Sequence, residues 1–315
     1  MLENIKSNKI IYIIFKYVKP KRKLKIIKYN KATIEKLKIT EEDFKVYEIL
    51  KEFNEKFDLK IKDIDIDHLN FVMRKRGYEG LDYLKRLNFK ELKGLNLSGS
   101  EIQDINGLTV LNFKELTLLN LNMNEISDLN GLDKLNFKKL TLLSISMNNI
   151  SDINILEKVN FKELSRLFLF SNNISDIKVL ERVNFAKLKE LNLSSNEISD
   201  IKILEKVNFI DLNILGLSLN KISDINILGK VNFKELKRLT LDSNDITDIN
   251  ILDKVNFPKL KELDLSHNKI TDIKVFEKAN FEELEILSLN NNKIEKEEYC
   301  SLLTKLKSKI KKLGI

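Results

Sequence analysis

The sequence predicts an α/β solenoid, one short strand-and-turn unit stacked on itself along most of the chain. Three observations carry that expectation. An Asn-Phe pair recurs every 24 residues without a slip, at Asn88-Phe89, Asn112-Phe113, Asn136-Phe137, Asn160-Phe161, Asn184-Phe185, Asn208-Phe209, Asn232-Phe233, Asn256-Phe257 and Asn280-Phe281. A fixed period in this range means small units that bury a core only by stacking. Within each unit apolar residues alternate with polar ones, as in Leu191-Asn192-Leu193, the pattern of a strand with one buried face. Most units then carry a Ser/Thr-Asp step ahead of Ile-x-x-Leu, which reads as the N-cap of a short helical turn.

Aligned on the Asn-Phe pair, residues 188–211 read L-K-E-L-N-L-S-S-N-E-I-S-D-I-K-I-L-E-K-V-N-F-I-D. The L-x-x-L-x-L-x-x-N-x-I core resembles the leucine-rich repeat family. Eight of the nine copies carry it in full, and copy 1 has Ser100 at the Asn position. The S/T-D-I-x-x-L segment is similar to the Ile-rich, short-turn class of these repeats. The resemblance implies a right-handed horseshoe with a parallel sheet on its concave side, nine repeats long, over residues 89–294.

Strands in such a sheet lie about 4.8 Å apart, so equivalent residues form columns. One column is Asn124, Asn148, Asn172, Asn196, Asn220, Asn244, Asn268 and Asn292. An amide side chain donates and accepts, so this column is expected to be structural, satisfying backbone groups where each coil leaves its strand. The Phe column reads as core, each ring worth about 2–3 kcal/mol when buried. A third column, Asp104 to Asp272, suggests metal binding at first sight. A hard cation wants six or more oxygens, and one Asp per coil without a Gly-rich loop falls short, so the turn-capping reading is preferred and no metal is expected.

The ends differ from the repeats. In residues 295–315, Leu302, Leu303, Leu306, Ile310 and Leu313 fall at helical spacing with lysines between them, predicting a capping helix with a solvated basic face. Residues 41–88 read as an amphipathic helix (41–58) leading into a degenerate opening coil at Ile61-x-x-Ile64-x-Ile66. Residues 1–40 hold twelve basic residues against two acidic, while the whole chain is only +8. The repeat body is therefore slightly acidic, and the high isoelectric point belongs to the N-terminal segment.

That segment has several readings. Its apolar run, Ile10 to Phe15, is too short to span a membrane and leads into KPKRKLK rather than a cleavage site, so neither a signal peptide nor a membrane span is expected. Lys19-Pro20-Lys21-Arg22-Lys23 could contact phosphates or serve nuclear import, or be a solvated loop; nucleic acid is not the favoured partner. The string from Ile5 to Lys31 resembles an F-box, with Ile14, Phe15, Val18, Leu24, Ile26, Ile27 and Tyr29 at matching places. It lacks the family's Leu-Pro opening, and a plain N-terminal cap accounts for it equally. The resemblance implies that Ile14, Phe15, Val18, Leu24 and Ile27 dock on the linker subunit of a cullin-type ubiquitin ligase.

Binding in a horseshoe is expected at the outward positions of the strands, most of which are small and polar here. Copy 4 departs, with Phe168 and Phe170 both expected to point outward, Arg166 at their edge, and Leu118, Met123, Leu142 and Met147 in the adjacent coils. Aromatics clustered with Met and Arg are the composition of interface hot spots. Asp242 and Asp264 near His267 suggest a basic end to the ligand. Two histidines, one cysteine (Cys300) and nine glycines provide no catalytic constellation or phosphate loop, so an enzyme is not expected and no cofactor is called for. A single cysteine fits a reducing compartment. The expectation is a monomeric, cytoplasmic or nuclear scaffold that binds a protein partner.

Overall fold

The computed structural model describes residues 92–110, 113–297, 300, 302 and 312–314. The F-box-like stretch, the helix at 41–58 and the opening coil lie outside these residues. Among the described residues ten three-residue strands run in chain order: β1 Gly94–Asn96, β2 Leu118–Asn120, β3 Leu142–Ser144, β4 Arg166–Phe168, β5 Glu190–Asn192, β6 Ile214–Gly216, β7 Arg238–Thr240, β8 Glu262–Asp264, β9 Ile286–Ser288 and β10 Lys312–Gly314. They form one open, parallel sheet in that order. From β1 to β9 each residue pairs with the one 24 positions on, as Leu95 does with Leu119 and Leu143 with Leu167. The register is pinned because the central residue of each strand is a leucine turned into the core, fully buried from Leu119 to Leu287. A one-residue slip would turn that whole column into solvent.

Hydrogen bonding between coils continues past the strands: the Leu121 amide donates to Ser144 O at 2.8 Å and the Met147 amide to Phe170 O at 2.8 Å. Behind the sheet, Phe161, Phe185, Phe209, Phe233 and Phe257 are among the largest fully buried side chains. The rings of Phe113 and Phe137 sit 6.1 Å apart, and those of Phe137 and Phe161 6.4 Å apart, within the range of favourable ring pairs.

The expected helical turns are 3-10 turns, from Asn106–Val110 to Lys274–Glu277, closed by bonds such as the Leu156 amide to Ile153 O at 3.0 Å. The aspartates cap them, though from one residue upstream of the helix cap itself. In the turn Asn154–Glu157 the cap position is Ile153, while Asp152 Oδ1 accepts the Asn154 amide at 2.7 Å. The same bond recurs at Asp176, Asp200, Asp224, Asp248 and Asp272, at 2.8–2.9 Å. This is an Asx turn, the local bond that short acidic side chains make to the backbone two residues on.

The asparagine column is a coil-to-coil staple. Asn196 Oδ1 accepts the Ile174 amide of the preceding coil at 2.9 Å, and its Nδ2 donates to Leu169 O and Leu193 O, each at 3.0 Å. Asn124, Asn148, Asn172, Asn220, Asn244 and Asn268 repeat the pattern while buried, and Asn292 repeats it part-buried. In copy 1, Ser100 stands at this position, and its buried Oγ has no partner among the described residues.

The C-terminal expectation is corrected in part. Lys296, Glu297, Cys300 and Leu302 are helical, and Leu302 joins the core. A continuous helix does not reach residue 315, because Lys312–Gly314 is a strand, in register with Ile286 to Ser288 of β9. The physical reason is the open edge of β9, whose unpaired backbone groups are satisfied by an added strand and not by a helix. Leu313 at helical spacing was therefore a misleading signal, since short apolar runs fit either period.

Candidate partner-binding face

The seven residues expected to bind lie on three adjacent strands and the turns that follow them. Leu118, Leu142 and Arg166 are register partners at the strand starts. Phe168 closes β4, opposite Ser144. Phe170 follows two residues on, beside Met147 through the backbone bond given above. Leu167 and Leu169 are fully buried, so alternation turns both phenylalanines outward. The rings are half-buried, Arg166 is exposed, and Met123 and Met147 are 58% and 43% exposed. Small neighbours accommodate the rings, since Ser144 and Ser146 are buried at the adjoining positions of coil 3. Ser144 Oγ donates to Asn122 Oδ1 at 2.8 Å, whereas Ser146 Oγ has no partner among the described residues.

Two features of this face escaped the sequence reading. The first is a column of left-handed residues immediately before the asparagine staple: Gly99, Met123, Met147, Ser171, Ser195, Leu219, Ser243, His267 and Asn291, with φ between 53° and 64°. Small or polar residues suit that backbone; Met123, Met147 and Leu219 do not, and each costs about 1–2 kcal/mol relative to a right-handed residue. Leu219 is also 55% exposed, which extends the apolar surface to coil 6. The sequence signal was the recurrence of Gly, Ser and Asn at one repeat position. The second feature is a set of Asx turns at the strand ends: Asn96, Asn120, Asn192 and Asp264 each accept the amide two residues on, at 3.0–3.1 Å.

Farther along, Asp242 Oδ1 accepts the Ser218 hydroxyl through a short bond, and Asp264 Oδ1 accepts the Ser266 hydroxyl at 2.6 Å. His267 does not meet these carboxylates through a hydrogen bond. Its Nε2 lies 2.9 Å from Nδ2 of Asn291. At the strand starts a shallow groove of ≈ 510 Å³ is lined by Lys189, Asn213, Ile214, Lys237 and Arg238 among others, with Arg238 Nε held 2.5 Å from Glu262 Oε2. Away from the sheet, a hydrogen bond with Glu157 holds the Arg182 guanidinium above its ordinary range. Among the described residues no group of three or more His, Cys, Asp or Glu could hold a metal ion, and no helix is long and apolar enough to cross a membrane.

The family description "Leucine Rich repeats (2 copies)" matches residues 234–278 and 258–298, and "Leucine Rich repeat" matches 186–201. The chain is a leucine-rich repeat protein. No curated protein matches it. Among solved structures, an internalin (inlF) from Listeria monocytogenes is 28% identical, with a TM-score of 0.61, 79% of this chain and 74% of that one being covered. Internalin C2 of the same organism is 28% identical over 68% of this chain and 84% of that one, TM-score 0.54. A leucine-rich repeat protein of Leptospira interrogans is 26% identical over 74% and 62%, TM-score 0.54.

Proposed function

We propose that this protein is a non-enzymatic recognition module that binds a protein partner on the concave face of its sheet, centred on Phe168, Phe170, Met123 and Met147. The observation that carries the reading is the exposed apolar cluster itself. Two rings, two methionines and Leu118 and Leu142 share one face of three adjacent coils. A contiguous apolar patch of this kind on a soluble surface is the usual mark of a binding site. Arg166 at its margin supplies the charged contact typical of interface centres.

The test is capture of partners by the chain and by its Phe168→Ala, Phe170→Ala double variant. Two central aromatic anchors at about 2 kcal/mol each imply a loss of affinity of a hundredfold or more, with the circular dichroism spectrum unchanged. Equal capture by both proteins would remove this face from consideration. A second reading adds an adapter role, supported by the F-box-like pattern of Ile14, Phe15, Val18, Leu24 and Ile27 preceding a repeat array. Affinity purification of the full chain and of a chain starting at residue 41 separates the two. A ligase linker subunit that disappears with the truncation supports the adapter, and identical partner sets reject it.

A further inference from the structure

Three positions per coil follow the strand centre and face outward: the last strand residue, the residue two on, and the left-handed residue after that. From Asn96 in coil 1 to Leu219 in coil 6 every one of these is uncharged. Through coil 9, Asp242 and Asp264 are the sole acidic or basic side chains other than His267 among them. Both carboxylates use Oδ1 internally, on Ser218 and Ser266, and among the described residues neither Oδ2 has a partner. The basic side chains nearby, Lys237 and Arg238, belong to the opposite end of the strand, where Arg238 is paired with Glu262.

Building on the proposed apolar site, we infer that its occupant is an amphipathic helix lying across the strands, with a basic residue that reaches Asp242 and Asp264. Three arguments converge on a helix. A helical turn rises about 5.4 Å, close to the spacing of about 4.8 Å between coils, so successive turns meet successive coils. An extended strand repeats its facing side chains every two residues, about 6.6 Å, and loses register within three coils. An extended backbone would also need hydrogen-bond partners from this face. At Asn96, Asn120 and Asn192 the Oδ1 acceptor already holds its own turn, so an extended backbone would meet donors there but no acceptor for its own N–H groups. A helix satisfies its own backbone and asks only for side-chain complementarity, the mode in which apolar faces bind helices.

The geometry fixes the spacing. Phe170 and Asp242 are three coils apart, about 14 Å, and Phe168 and Asp264 four coils apart, about 19 Å. On a helix these spans are about 10 and 13 residues. The partner therefore carries an apolar stripe of about three turns and, about three turns beyond the residue facing the phenylalanines, a Lys or Arg on the same face.

The test immobilises the full chain and selects from a displayed library of alanine-based helical peptides, roughly 24 residues long, randomised along one face. Enrichment of an apolar stripe followed at that spacing by Lys or Arg is expected. The selected peptide should bind at least tenfold tighter than its twin with Glu at the basic position. Asp242→Asn with Asp264→Asn should erase the preference, and Asp242→Lys with Asp264→Lys should invert it. Failure to enrich helical peptides, or a basic preference that survives charge reversal, overturns the inference. Peptides lost on Phe168→Ala, Phe170→Ala but indifferent to charge overturn this inference alone. Peptides that bind the double alanine variant unchanged overturn the proposed site as well.

Discussion

Replacement of Asn196 by Ala tests how the coils are held together. The side chain makes bonds to Ile174 N, Leu169 O, Leu193 O and Ser194 O, but they are not equally replaceable. Leu169 O also accepts from Asn172 Nδ2, and Leu193 O from Asn220 Nδ2, so both carbonyls keep a partner in the variant. Among the described residues the Ile174 amide has no second acceptor, and it lies on a fully buried residue. A buried donor left unsatisfied costs about 1–3 kcal/mol, and the small void left by the amide adds to this. The expected loss is about 2–3 kcal/mol, located at the interface between coils 4 and 5.

Because a solenoid's stability is a sum of coil and interface terms, global unfolding can blur the effect. Amide exchange at Ile174 reads it locally. Protection there should fall in Asn196→Ala by one to two decades, while the Ile222 amide, two staples away and held by Asn244, keeps its protection. Asn196→Asp should be worse than Ala, since it keeps the acceptor but sets a buried charge beside two carbonyls. Asn292→Ala should cost less, because that staple is only part-buried. The staple reasoning fails if Asn196→Ala costs under about 0.5 kcal/mol or if Ile174 stays protected.

Three further outcomes follow from the same contacts. Phe185→Ala empties a fully buried ring position and should cost about 3–5 kcal/mol in urea unfolding; a loss below about 1 kcal/mol would mean the Phe column is not core. Ser146→Ala removes a buried hydroxyl without a partner among the described residues, so stability should stay level or rise, and a loss above about 1 kcal/mol would show that the hydroxyl has a partner. Met147→Gly relieves a side chain at φ 56° and should stabilise by about 0.5–1 kcal/mol while weakening partner capture; a destabilised variant would contradict the strain assigned to this column.

The fold was legible because a stacked repeat states each requirement nine times. Any single Leu-x-Leu is ambiguous, but the columns of Leu119, Asn124 and Phe137 leave one periodicity that buries all three. The candidate site stands out in the sequence for the opposite reason, because Phe168 and Phe170 break the pattern of Asn192 and Ser194. What could not be read were features that alternation does not encode. The left-handed φ of Met123 and Leu219 is invisible in residues that ordinarily avoid it, and only their Ser and Gly equivalents betray it. The 3-10 form of the turns and the Asx geometry of Asp152 depend on where the chain is pulled by the next strand. β10 depends on an open sheet edge, a property of the assembled array and not of residues 312–314.

The departures in coil 4 carry a cost that the fold does not require. Where Asn192 and Asn120 accept the amide two residues on, Phe168 has no oxygen to offer, so the coil gives up a turn bond worth about 1 kcal/mol. Its rings remain half in water, forfeiting part of the burial that the core phenylalanines gain. Coils 2 and 3 add left-handed methionines where Ser171 and Ser195 show that a serine fits. Since every coil faces the same packing problem, a solution used in coil 5 was open to coils 2 to 4 as well. Three adjacent coils decline it, each in a way that exposes apolar surface on one face, and this is the arrangement that the proposed partner-binding face requires. Restoring the repeat should then separate the two demands: Phe168→Asn with Phe170→Ser, copied from coil 5, should raise stability while abolishing capture. If the restored chain were less stable than the natural one, the rings would be packing groups after all, and the partner face would have to be sought elsewhere on the sheet.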